Sequence, residues 1–135
     1  MNLVDTSGWI EYFFAGPNAA YFAPPIEATD DLIVSVICLY EVFKKVNIVA
    51  DEARALEAVA QMKQGRIVSL TEDIALSGAL ISLKNKLPMA DSLIYATAKA
   101  CEAILWTQDD HFSGLPNVNY KKARTKKSKR RTTGI

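Results

Sequence analysis

The chain has 135 residues, half of them hydrophobic, and a formal net charge of +1. That suits one domain with a real core and excludes a disordered chain. No apolar run reaches the roughly 18–20 residues that cross a bilayer, and nothing at the start resembles a signal peptide, so a cytoplasmic protein is expected.

NLVD, at 2–5, reads as a short buried strand ending at Asp5. SGWIEYFFAG, at 7–16, reads as a helix with Ser7 as its cap and Gly16-Pro17 as its stop. NAAYFAPPI, at 18–26, reads as a short helix broken by Pro24 and Pro25. DDLIVS, at 30–35, is a second buried strand, and Ser35 can cap the helix VICLYEVFKKVN, at 36–47. DEARALEAVAQMKQG, at 51–65, is an amphipathic helix with acids at its start and Gly65 at its end. RIVSL, at 66–70, is a third strand, and TEDIALSGALISLKNK, at 71–86, is a helix beginning at Thr71. Pro88 opens the helix PMADSLIYATAKACE, at 88–102. AILWT, at 103–107, is a fourth strand, and VNY, at 118–120, is a candidate edge strand. Cys38 and Cys101 lie in apolar helical segments and read as reduced core thiols.

The strands are apolar throughout and alternate with helices, the pattern of a parallel sheet covered on both faces. Ligands bind such sheets beyond the carboxyl ends of the strands. Asp5 and Asp109 both follow strands at that edge. Glu41 lies on a helix that starts there, with Ile37 and Cys38 one turn back, and Asp91 lies in the first turn opened by Pro88. Each residue has a plain local explanation. Asp5 could cap a helix, Asp91 could complement a helix dipole, and Asp109 and Asp110 could be turn residues. Glu41 resists one, because a carboxylate among apolar neighbours is costly unless paired or metal-bound. A single acidic pocket for a divalent metal explains all four. Carboxylates without histidine or cysteine partners favour Mg²⁺ or Mn²⁺ over Zn²⁺, and such a site suits phosphoryl chemistry.

LVDTS at 3–7, YEV at 40–42, LPMADSLIYATA at 87–98 and LWTQDDHF at 105–112 together resemble the PIN-domain ribonucleases, in particular the VapC toxins of toxin–antitoxin pairs. The resemblance implies an α/β/α sandwich around a central parallel sheet of four to five strands. It also implies Mg²⁺- or Mn²⁺-dependent cleavage of RNA and inhibition by a small antitoxin. By position, Asp5, Glu41, Asp91 and Asp109 match the acidic quartet, with Asp5, Asp91 and Asp109 as metal ligands. Thr107 matches a hydroxyl that orients the site, and Thr6 and Ser7 match small polar residues that support the first aspartate. Asp109 is favoured over Asp110, which stands where the family pattern varies. His111 departs from the acidic residue many relatives carry and reads as a surface residue, with a minor part in RNA contact left open.

Rival chemistries fit less well. A haloacid-dehalogenase-like phosphatase needs a second aspartate at position 7, which is Ser, and a receiver domain needs one after the third strand, where Leu70 and Thr71 stand. A non-catalytic PIN-like module that binds RNA or protein is the alternative, although all four acidic positions are filled.

The net charge conceals an asymmetry. All 15 acidic residues lie before position 121, whereas eight of the 16 basic ones fall within 121–131. The body, 1–120, therefore carries eight basic against 15 acidic residues, a net charge of −7. The tail, 121–135, has few apolar residues and is expected to be disordered alone. Its Lys121, Lys122, Arg124, Lys126, Lys127, Lys129, Arg130 and Arg131 are candidate RNA contacts. A passive tail and a tail docked on the acidic pocket are the alternatives. A homodimer through helices of the first half is also expected, with Trp9, Tyr12, Phe13 and Tyr21 as candidates for that contact or for an antitoxin groove.

Overall fold

The computed structural model describes residues 1–124. Its elements in chain order are β1 (Asn2–Val4), α1 (Thr6–Phe13), α2 (Ala19–Glu27), β2 (Leu32–Ser35), α3 (Val36–Val49) and α4 (Glu52–Met62), followed by β3 (Arg66–Val68), α5 (Glu72–Asn85), α6 (Met89–Ala100), β4 (Ile104–Thr107) and β5 (Val118–Tyr120). Single 3₁₀ turns occupy Thr29–Asp31 and Asp110–Phe112. The five strands form one parallel sheet in the order β3-β2-β1-β4-β5, flanked by helices. The expected mixed α/β fold is therefore present, with VNY as a paired edge strand. Among the described residues no helix is long and apolar enough to cross a membrane.

Strand order runs outward in both directions from β1 and β4, which pair with Leu3 opposite Leu105 and Val4 opposite Trp106. That pair is the topological switch point, where the connections leaving neighbouring strands diverge and open a crevice. Leu3, Val4, Leu32, Ile33, Val34 and Leu105 are almost wholly buried, so the strands form the middle of the core. Helix starts follow local chemistry. Ser35, Asp51 and Thr71 each accept a backbone N–H of the first turn of their helix.

Three local expectations are corrected. The first helix begins at Thr6, and its cap is Asp5, whose Oδ1 accepts the Gly8 N–H at 3.0 Å; Ser7 lies inside the helix. Pro24 and Pro25 do not break the second helix, which runs through both to Glu27. Each proline removes one donor, but burial of Phe22, Pro25 and Ile26 against the core holds the short helix together. Trp9 is not an exposed docking residue: it is 0% exposed and stacks on Phe13, with ring centroids 5.4 Å apart. Tyr12, Phe13 and Tyr21 are half-buried against the same core. Both cysteines are free, Cys38 buried and Cys101 half-buried, and burial pushes the Cys38 thiol up, so it is no nucleophile.

Gly8 is required by a close approach. A Cβ there would stand 2.5 Å from Val4 Cγ1 and 2.8 Å from the Phe22 ring. Only a bare backbone lets α1 start this close to β1, and that approach brings the Gly8 N–H to the Asp5 carboxylate.

Candidate active site

Asp5 stands at the switch point, one residue beyond β1, and its N–H continues the ladder to Trp106 O at 3.1 Å. Its carboxylate is fixed on both oxygens. Oδ1 accepts Ser7 Oγ at 2.7 Å and the Gly8 N–H at 3.0 Å, and Oδ2 accepts Thr107 Oγ1 at 2.7 Å. Thr107, the buried last residue of β4, also accepts the Asp109 N–H at 2.9 Å. One hydroxyl thus ties the carboxyl ends of the two central strands together. Ser7 accepts the Gln108 N–H at 3.2 Å and completes the link.

Asp5 is 3% exposed. Burial pushes its carboxyl up to about 6, outweighing the Thr107, Ser7 and Gly8 hydrogen bonds that favour the carboxylate, and the Asp109 charge adds to the rise. A buried acid with two fixed oxygens and raised proton affinity gains from a nearby cation.

Asp91, in the first turn of α6, is half-buried, and burial raises its pKa although His111 acts the other way. His111 corrects the surface reading. Its Nδ1 lies 2.8 Å from Asp91 Oδ2 and 3.3 Å from Asp109 Oδ1, although its ring is open to solvent. The hydrogen bond to Asp91, then the Asp109 charge, raise the His111 pKa. Asp109 Oδ1 also accepts the His111 N–H at 2.9 Å, capping the 3₁₀ turn. The Asp91, Asp109 and His111 donor atoms lie within 4.8 Å of one another, close enough to share one ion.

Glu41, half-buried on α3, accepts a hydrogen bond from Thr6 Oγ1, and its charge acts on Asp91. Thr6, Ser7 and Thr107 thus hold carboxylates. Asp5, Glu41 and Asp110 lie outside the Asp91–Asp109–His111 group, and Asp110 is exposed.

Beyond the acids, the chain leaves the sheet along a second tether. Lys121 N–H donates to Thr107 O at 3.0 Å, and Asn18 Nδ2 donates both to Lys122 O and to Gln108 Oε1 at 3.0 Å. Lys121, Lys122 and Arg124 are exposed and leave from the edge that carries Asp109. The other candidate RNA contacts, Lys126, Lys127, Lys129, Arg130 and Arg131, lie outside the described residues, as does most of the expected tail.

The profile of the family described as "PIN domain" matches residues 3–117. The chain belongs to the PIN domain family. This PIN domain is similar to the chain in a toxin–antitoxin complex from Klebsiella pneumoniae, with 26% identity, a TM-score of 0.73, and coverage of 88% of this chain and 96% of that one. It is similar in fold to the Mycobacterium tuberculosis toxin VapC20, described as cleaving the sarcin–ricin loop, with 17% identity, a TM-score of 0.73 and coverage of 86% and 95%. VapBC2 of Rickettsia felis, solved on a DNA fragment from its promoter, shares 16% identity with a TM-score of 0.70 and coverage of 90% and 97%. No curated protein matches.

Sequence reasoning missed three parts of this PIN domain's site. His111 had a usable signal, two residues after Asp109 and next to buried Phe112. Gln108 and Asn18, which join the site to the outgoing chain, had none, because they meet only through the fold.

Proposed function

We propose that this PIN domain is a divalent-metal-dependent endoribonuclease and the toxin of a VapBC-type pair, working in the cytoplasm against RNA and restrained by a small antitoxin. The observation that carries the proposal is the junction at the switch point, where Thr107 links Asp5 to Asp109 and Asp109 meets Asp91 through His111. The donors fit Mg²⁺ or Mn²⁺: mainly carboxylate oxygens, in a pocket whose buried acid lacks a counter-charge. Asp5, Asp91 and Asp109 would hold the ion, which supplies charge neutralisation and Lewis-acid activation when bound.

The chain's own groups do the rest. Ser7, Gly8 and Thr107 fix the plane of the Asp5 carboxylate, so it needs no reorganisation when phosphate arrives. Glu41, which accepts a hydrogen bond from Thr6, would take a proton from an attacking water. As that water's oxygen joins phosphorus, the P–O bond of the leaving nucleotide breaks, and solvent returns a proton to the leaving oxygen. The Klebsiella likeness supports the antitoxin partner. A homodimer is proposed as well. Its contact is sought among exposed apolar side chains such as Val49 on α3 and Leu56 on α4, since Trp9 is buried.

Chelation tests the proposal. Purified protein should cleave single-stranded RNA with Mg²⁺ or Mn²⁺, lose activity in EDTA and regain it when metal returns. Metal should also raise the thermal midpoint, more in wild type than in Asp5→Asn. Cleavage that persists in EDTA, or a midpoint that metal does not move, would remove the metal from the account.

A further inference from the structure

A groove of about 460 Å³ is lined by Thr6 and Glu41 and by Tyr40, Lys44, Lys45 and Ile48 of α3. Glu41, Lys44, Lys45 and Ile48 stand at i, i+3, i+4 and i+7, so they form one stripe on the helix. The lysines lie one helical turn, about 5.4 Å, beyond the acidic residue. Both are exposed. Tyr40 is 64% exposed, and Lys44 Nζ lies 5.8 Å from its ring centroid.

An exposed tyrosine flanked by two lysines, one turn from a phosphodiester-cutting centre, has the chemistry that binds one unpaired nucleotide. The aromatic face takes a base, and the ammonium groups take the neighbouring phosphates. The body's net charge of −7 repels nucleic acid, so a strand reaching the acids needs local cations beside them. Gln108 borders both this groove and a smaller one lined by Asp109, Tyr120 and Lys122. Lysine side chains therefore line both grooves that Gln108 borders.

We infer that Tyr40, Lys44 and Lys45 form a positioning subsite for single-stranded RNA, with one base stacked on Tyr40 and the adjoining phosphates on the lysines. The subsite rests on the ribonuclease proposal above and deepens it: the substrate must present at least one unpaired nucleotide next to the scissile bond. Tyr40 acts as a positioning residue and touches no reacting atom.

The test uses the full chain with Asp5→Asn, so that RNA is bound and not cut, and a labelled 12-nucleotide single strand followed by fluorescence anisotropy. Adding Tyr40→Ala should weaken binding about 5- to 100-fold, the loss expected for one stacked base. Tyr40→Trp should restore it. Lys44→Ala with Lys45→Ala should flatten the slope of log affinity against log salt by about 1.4, at about 0.7 for each phosphate. The same sequence as a duplex should show no dependence on Tyr40. Unchanged single-strand affinity in Tyr40→Ala, or an equal loss on the duplex, would overturn the inference and leave the groove to a protein partner. Wild-type cleavage with and without EDTA is scored separately, so a failed subsite and a failed nuclease proposal give different results.

Discussion

Replacing Asp5 by asparagine should stabilise the metal-free protein, and the gain should vanish in acid. In the fold the Asp5 carboxyl titrates at about 6, against 3.8 for an ordinary aspartate. Its folded pKa is raised, so its contribution to stability is fully present below 3.8 and is lost as pH rises through about 6. The gap corresponds to about 3 kcal/mol of destabilisation above pH 7. Asp5→Asn removes the charge but not the shape. The amide still accepts Ser7 Oγ and the Gly8 N–H through its oxygen. Its nitrogen faces Thr107 Oγ1, which now donates to Oδ2, and that hydroxyl loses its acceptor at a cost of about 1 kcal/mol. A net gain of about 2 kcal/mol at pH 8 follows, or roughly 6–10 °C in the thermal midpoint. At pH 4 wild-type Asp5 is protonated, and the variant should be no more stable than wild type. The assay is thermal and urea unfolding in EDTA from pH 4 to pH 8, read as the difference between the two proteins. A difference that stays flat with pH, or a variant less stable than wild type at pH 8, would refute the claim that Asp5 is an uncompensated buried acid.

Asp109→Asn should remove most RNA cleavage and Asp110→Asn little, because only Asp109 lies with Asp91 and His111; the reverse order in a single-turnover assay would mean the turn presents the wrong carboxylate. Trp9→Ala should cost about 3–5 kcal/mol in urea unfolding, since it empties a fully buried site, whereas loss of partner binding at full stability would restore its docking role. Truncation after Arg124 removes five of the tail's eight basic residues and spares the Asn18 bond to Lys122 O. If the tail tethers RNA, the salt slope of binding should flatten by up to about 3.5, with cleavage sites unchanged, and an unchanged slope would make those residues passive.

What was legible in the sequence was mostly local. Unbroken apolar runs marked the strands of a sheet covered on both faces, and Ser35, Asp51 and Thr71 announced their helices because a cap acts within three residues. The order of acidic residues relative to strand ends brought Asp5 and Asp109 to one edge before any contact was known. What stayed hidden depends on packing between distant segments. Asp5 and Ser7 were both available as caps, and nothing local shows that Gly8 lets α1 start two residues before the helix that Ser7 would cap. Two adjacent prolines predict a break unless burial of Phe22 and Ile26 is known. His111 read as surface because its partners are a helix start 20 residues away and the turn it belongs to. Lys44 and Lys45 carry no local signal, because only the fold sets them along the groove beside Glu41.

Cleavage of RNA by Asp5 acting with Asp91 and Asp109 on a divalent metal is the central proposal. It is tested most directly by single-turnover cleavage of a labelled single strand, with wild type and Asp5→Asn side by side in Mn²⁺ and in EDTA. Wild type should cleave in Mn²⁺ alone, and Asp5→Asn should not, although it is folded and still binds the strand. Cleavage by Asp5→Asn at a rate near wild type would contradict it.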